Sequence, residues 1–375
     1  MAGLYLHIPF CRKACHYCDF HFSTSRASKS EFCKALALEI VLQKDYLKGM
    51  SVDTIYFGGG TPSLLHFDEI ENILSSINEN YLVSSNVEIT MEANPDDLTA
   101  EKLIELNSLG INRLSIGIQT FDENILKFLN RSHTSQMARS SIQLARKYGF
   151  ENINIDLIYA IPGLTSELWK ETILEAVKFS PKHISAYSLT IEKKTVFGNW
   201  SKNGTLTTVS EEVASEQMEM LMETLEAFGY EQYEISNFCQ SKFYSKHNSS
   251  YWKQSIYLGL GPSAHSFDGN SRQFNIQNNA LYIKALNNNT VPFEREILTR
   301  ENKINEYILT SIRTNWGCDL NFLRLTYDDN TFERCKTYLD KYIEDNLIEM
   351  KGDKLFLTRK GKLFADKITE DLMVD

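Results

Sequence analysis

Two hydrophobic periods alternate along the first half of the chain. Short runs rich in apolar residues, at Leu4–Ile8, Thr54–Phe57, Val87–Glu92, Arg113–Ile118, Asn152–Ile158 and His183–Tyr187, read as strands. Between them the apolar positions recur at helical spacing, near Ser30–Leu47, Phe67–Asn78, Thr99–Leu109, Ser135–Tyr148 and Ser166–Phe179. Thr99 and Thr165 stand where helix N-caps belong, and Gly110 and Gly149 fall just past helix ends, where a left-handed residue is wanted. Strands alternating with helices in this way predict a parallel α/β sheet or barrel.

The pattern changes after about residue 190. Residues 193–208 read as a loop, and an amphipathic helix is expected from Glu211 to Phe228. Tyr230 to Phe274 is aromatic and polar, with few helix signals. Beyond residue 295 the chain reads as a small module. Helices near Glu301–Thr314 and Phe332–Asp345 precede two short strands, Leu347–Lys351 and Lys354–Leu357, joined by Gly352-Asp353. A last helix follows, with Thr358 as its N-cap. Helices followed by a β-hairpin predict a winged-helix-like α+β unit. The expected division is residues 1–190, 191–294 and 295–375.

Composition narrows the class. A chain of 375 residues suggests two or three domains at about 150 residues each. With 42% hydrophobic and 23% charged residues, a disordered chain, a collagen-like chain and a disulfide scaffold are excluded. The formal charge of −10 argues against a nucleic-acid partner, which needs a basic face. No run reaches the ~20 apolar residues of a membrane span, and the first residues lack a basic stretch before an apolar one. A cytoplasmic protein with at most peripheral membrane contact is expected.

Cysteine usage supplies the candidate chemistry. Three of the seven cysteines crowd together as Cys11-x3-Cys15-x2-Cys18, and the others are scattered. In a chain without an export signal, such a cluster points to a metal site and away from a disulfide framework. Three thiolates suit an iron–sulfur cluster with one iron left open. A structural zinc ion wants four ligands, which here would require His16 or His21. Gly58-Gly59-Gly60 ends a predicted strand, so it is either a tight turn or a place where backbone approaches a ligand. Glu92, Gln119 and Asp156 each stand near the C-terminal end of a predicted parallel strand, where barrel proteins place their sites.

The cysteine spacing, together with Ile55-Tyr56-Phe57-Gly58-Gly59-Gly60-Thr61-Pro62-Ser63, Glu92-Ala93-Asn94-Pro95, Ile116-Gly117-Ile118-Gln119, Leu129-Asn130-Arg131 and Asn154-Ile155-Asp156-Leu157-Ile158-Tyr159, resembles the radical S-adenosylmethionine (SAM) superfamily. Within it, the motifs are similar to the family related to oxygen-independent coproporphyrinogen III oxidase. The resemblance spans essentially the whole chain. It implies a partial (β/α)6 barrel followed by the C-terminal module. It implies a 4Fe-4S cluster on Cys11, Cys15 and Cys18. It also implies SAM held by Tyr5, Tyr17, Gly59, Gly60, Thr61, Glu92, Gln119, Arg131 and Asp156.

The segment His247-Asn248-x-x-Tyr251-Trp252 resembles the heme-chaperone branch of that family. This implies heme as a bound ligand, His247 as its best ligand candidate, and His265 and Cys239 as weaker ones. The implied function is transfer of heme to acceptor apoproteins, with respiratory ones among the candidates. SAM is then either cleaved or a gate for transfer. The alternative is the oxidase itself, which would decarboxylate its porphyrinogen through a 5′-deoxyadenosyl radical. The oxidase pattern carries a further cysteine where this chain has Phe20, and a longer N-terminal arm. Both departures favour the chaperone branch. No residue is assigned a catalytic role.

Overall fold

A computed structural model describes residues 2–327 and 336–374. The first six strands are β1 (Ala2–Ile8), β2 (Val52–Gly59), β3 (Val83–Ala93), β4 (Arg113–Gln119), β5 (Asn152–Tyr159) and β6 (His183–Ser188). They lie side by side in chain order, all parallel. The connecting helices are α1 (Lys29–Leu42), α2 (Phe67–Asn80), α3 (Ala100–Ser108), α4 (Glu123–Phe128), α5 (Ser135–Lys147) and α6 (Ser166–Lys178). Side chains such as Leu4, Leu6, Phe57, Met91, Ile116 and Ile155 meet Phe32, Ile40, Ile73, Leu103, Ile142 and Trp169 in one continuous apolar core. The caps work as the sequence implied: Thr99 accepts from the Lys102 amide and Thr165 from the Leu168 amide, while Gly110 and Gly149 hold positive φ.

Residues 193–208, expected as a loop, contain a helix, α7 (Val196–Lys202), capped by Thr195. The amphipathic helix α8 (Glu211–Ala227) follows and is tied to α6 by Trp169, whose indole donates to the Gln217 carbonyl at 2.8 Å. The stretch after Tyr230 is richer in strands than its sequence suggested. It holds β7 (Glu231–Glu234), β8 (Asn237–Cys239), the short helix α9 (Lys246–Trp252), β9 (Ile256–Leu260), β10 (His265–Phe267) and β11 (Ser271–Asn275). After these come α10 (Asn279–Asn287) and β12 (Phe293–Ile297). These strands extend the sheet at both edges. β9 joins the free edge of β1 in parallel, and β10, β11 and β12 continue antiparallel. At the other edge β8 and β7 continue antiparallel from β6. The result is one twelve-stranded sheet of order β12-β11-β10-β9-β1-β2-β3-β4-β5-β6-β8-β7, with the parallel half-barrel at its centre.

The C-terminal part has its own apolar cluster, formed by residues such as Ile308, Leu323, Leu339, Leu355 and Ile368. Its elements are α11 (Arg300–Ile312), β13 (Cys318–Asp319), α12 (Leu320–Thr326), α13 (Lys336–Glu344), β14 (Ile348–Lys351), β15 (Lys354–Leu357) and α14 (Ala365–Leu372). The strands form an antiparallel sheet of order β13-β15-β14, and Gly352 makes the hairpin turn with positive φ. Thr358, expected to cap the last helix, accepts from the Gly361 amide of a short turn instead, and α14 begins at Ala365 with Phe364 at its N-cap. Phe332, the expected start of the second helix, and Cys335 lie outside the described residues. No helix among the described residues is long and apolar enough to cross a membrane.

Candidate functional site

The loop after β1 carries the three clustered cysteines, all half-buried. Backbone bonds fasten it at several points. The Cys11 amide donates to the Ser23 carbonyl, the His16 amide to that of Leu129, and the Thr61 amide to that of Phe10. Asn130 donates its side-chain amide to the Ala14 carbonyl at 2.6 Å. Two side chains reach the sulfurs directly: Thr61 Oγ1 lies 3.5 Å from Cys11 Sγ, and Arg131 Nη1 lies 3.3 Å from Cys15 Sγ.

Arg131 is the hub of this region. Its guanidinium donates to Asn94 Oδ1 at 2.6 Å, to the Gly117 carbonyl at 2.8 Å and to the Tyr17 hydroxyl at 3.4 Å. Burial alone would lower its pKa, but Tyr17 and Cys15 outweigh that, so it stays a cation. Asn94 also donates to Thr61 Oγ1 at 3.2 Å, which links both sulfur-facing side chains. Sequence reasoning did not single out Asn94, although a polar residue just after Glu92 at a strand end was a usable signal.

The expected SAM residues meet at the C-terminal ends of the parallel strands. Glu92 accepts from the Tyr56 hydroxyl at 2.8 Å and from the Gly59 amide at 3.1 Å. Burial pushes its carboxyl up to about 7. Asp156 accepts from Ser115 Oγ at 3.0 Å and from Asn154 at 2.7 Å, and burial raises its pKa too. Gln119 follows a register shift between β4 and β5 and has a φ of 67°. Bulges of this kind re-aim side chains beside sites. The glycine run faces the protein itself. A Cβ on Gly59 would stand 2.7 Å from the His7 ring, and one on Gly60 would stand 2.7 Å from the Phe10 carbonyl. Close packing against β1 and the residue just before Cys11 therefore leaves no room for a side chain at either glycine.

The sheet interior below is polar. Asn154 connects Asp156 to His183, whose other ring nitrogen pairs with the Tyr233 hydroxyl at 2.7 Å. His247 belongs to this interior and is 1% exposed. Its Nδ1 pairs with Thr54 Oγ1 and its Nε2 with the Tyr251 hydroxyl, both at 2.8 Å, and its ring stacks on Tyr56. Burial, reinforced by Arg113, holds it neutral, with a pKa of about 3. Both ring nitrogens of this heme-ligand candidate are engaged in hydrogen bonds in this conformation. Cys239 is likewise fully buried, in β8.

Beside the cysteine loop opens a cavity of about 540 Å³. Tyr5, His7, Phe20 and His21 line one side, Tyr251, Tyr257, His265, Phe267 and Arg272 the other, and Glu306 and Thr310 of α11 close it. Phe20 stands at its rim, 70% exposed.

The residues present fit an iron–sulfur cluster. Burial pushes the Cys11 thiol up and the Cys18 thiol to about 12, so ionisation needs positive charge nearby, which bound iron supplies. Arg131 contributes a fixed cation, and its Nε has no hydrogen-bond partner among the described residues. Among the described residues no three His, Cys, Asp or Glu side chains, the three cysteines included, converge on a single ion.

Comparison with known proteins gives the family and the fold. Residues 5–176 match the model of the radical SAM superfamily, and residues 298–364 match that of the HemN C-terminal domain. The heme chaperone HemW of Bacillus subtilis (strain 168) is 35% identical over 371 residues, covering 98% of each chain. That of Mycobacterium tuberculosis H37Rv is 31% identical, covering 99% of this chain and 94% of its own. The fold matches the structure of coproporphyrinogen III oxidase (HemN) from Escherichia coli with a TM-score of 0.87 at 24% identity, over all of this chain and 90% of that one.

Proposed function

The chain belongs to the radical SAM superfamily and, within it, to the family of the heme chaperone HemW, and on that premise we propose that it is a heme carrier. It binds heme and passes it to acceptor apoproteins; respiratory heme proteins are the acceptor class to test first. Family membership implies a 4Fe-4S cluster and SAM, which together supply one-electron chemistry when bound. Cys11, Cys15 and Cys18 hold the cluster in this reading. Glu92 and Asp156 offer carboxylates to the charged end of SAM, Gln119 offers an amide, and the segment Gly59–Thr61 lines its seat. Tyr5 and Tyr17 border it, and Arg131 sets the charge beside Cys15.

The observation that carries the carrier reading over porphyrinogen decarboxylation is Phe20. Where the resembled oxidases place a further cysteine, this chain exposes an aromatic ring at the mouth of an aromatic cavity. The test is anaerobic reconstitution of the cluster, followed by heme titration read at the Soret band and by transfer to an apoprotein. One heme bound per chain, passed on, with no decarboxylated product from coproporphyrinogen III and SAM, is the expected result. Product formation without stoichiometric heme binding would sink the reading.

A further inference from the structure

A heme carrier needs a flat apolar slot, an iron ligand with a free lone pair, and a cation for the propionates. These three meet in one place, bordering the candidate cofactor site at Tyr5. The cavity beside the cysteine loop has a volume of about 540 Å³, within the ~300–1,000 Å³ usual for small-ligand pockets. Tyr251, Tyr257 and Phe267 give it flat walls.

Three histidines line the cavity, and hydrogen bonding separates them. His7 has both nitrogens engaged, Nδ1 with the Tyr5 hydroxyl at 3.2 Å and Nε2 with the His21 carbonyl at 2.8 Å. His21 spends its Nε2 on Asn279 Oδ1 at 2.7 Å, which leaves it one open nitrogen, Nδ1. His265, at the start of β10, is exposed, and neither of its nitrogens has a hydrogen-bond partner among the described residues. Partial burial and Arg272 lower its pKa, which favours the neutral imidazole that ligates iron.

On the same wall as His265, one strand over, Arg272 of β11 has its Nε 2.9 Å from the Glu306 carboxylate of α11, an ion pair without hydrogen-bond alignment. A propionate has the same chemistry as the Glu306 carboxylate and can take its place on the guanidinium. We propose that this cavity is the heme seat, with His265 as an axial ligand of the iron and Arg272 as the propionate partner, in exchange for Glu306. The inference rests on the heme-carrier reading and adds to it the site.

The test uses the full-length, cluster-reconstituted chain and ferric heme. His265→Ala should weaken binding by at least tenfold. His265→Met should shift the Soret maximum and the ferric EPR signal from imidazole to thioether ligation. Arg272→Gln should weaken binding several-fold, and Glu306→Gln should tighten it several-fold, a gain that misfolding cannot mimic. Wild-type affinity and spectrum in both His265 variants, or a spectrum lost in His247→Ala and kept in His265→Ala, overturns the assignment while leaving the carrier reading intact. No heme bound by the wild-type chain removes the carrier reading itself.

Discussion

Glu92 shows how much one side chain at a strand end can report. It is held by a hydroxyl and a backbone amide, and burial lifts its pKa from 4.5 to about 7. The folded chain thus keeps a proton that the unfolded chain releases. The associated stability is fully present below pH 4.5 and is lost as pH rises through 7. Glu92→Gln should flatten this slope and stabilise the cofactor-free chain at pH 8 by up to ~3 kcal/mol, measured by denaturant unfolding at several pH values. An unchanged slope would show that another group is responsible. Gln119 makes a complementary case, because its left-handed backbone is costly for any residue with a side chain, about 1–3 kcal/mol. Gln119→Gly should leave stability within ~1 kcal/mol of wild type while weakening SAM binding at least tenfold, read by calorimetry on the reconstituted chain. The polarity of both residues was legible in the sequence. The bulge that aims Gln119 was not, because it exists only in the pairing of β4 with β5.

At the scale of elements, the attachment of β9 to the parallel core depends on a buried knot around Glu39 of α1. Its carboxylate accepts from Gln43 at 3.0 Å, from the Gly261 amide at 2.7 Å, from Asn275 at 2.6 Å and from the Tyr282 hydroxyl at 2.5 Å. Four donors from α1, the end of β9, β11 and α10 thus share one fully buried acceptor. Tyr282→Phe should cost about 1–3 kcal/mol, and Glu39→Leu, which strands all four donors, more than about 4 kcal/mol, both measured by denaturant unfolding. Equal costs would mean the knot is not shared. Sequence periodicity found β1 to β6 because strands within a parallel sheet are apolar runs. It missed β7 to β12, which are short, largely antiparallel and set by pairing with distant partners. It also missed α7, which contains Gly198. In the structure a Cβ there would stand 2.2 Å from the Glu192 carbonyl, so the glycine allows the close approach.

For the molecule as a whole, a polar path joins the candidate SAM site to the C-terminal module. It runs from Asp156 through Asn154 to Ser185, whose Oγ lies 3.0 Å from Asn237, and on to Glu234. Glu234, 3% exposed, pairs with Arg313 at 2.8 Å, and the Arg313 guanidinium lies over the Trp252 ring. Removing one partner of such a pair costs about 3–5 kcal/mol. Arg313→Ala should therefore speed proteolytic release of the segment after residue 298, with the iron–sulfur absorption band unchanged; an unaltered cleavage rate would count against the pair as the module's anchor. The separate module was legible as a change of pattern, but its tether was not, since Glu234 and Arg313 are far apart in the chain. The same long range has a consequence in time. Residues 11–18, which hold the three cysteines, are fastened from within the first 197 residues, through Ser23, Thr61, Asp97, Phe128, Leu129, Asn130, Arg131 and Phe197, and His21 farther along the loop reaches Asn279. The far wall of the aromatic cavity is built from residues 251–310. A ribosome adding roughly 5–20 residues per second separates the two events by about 5–20 s. On the proposed assignments, the newborn chain presents its thiols to an iron–sulfur donor before the wall of its heme seat has been made.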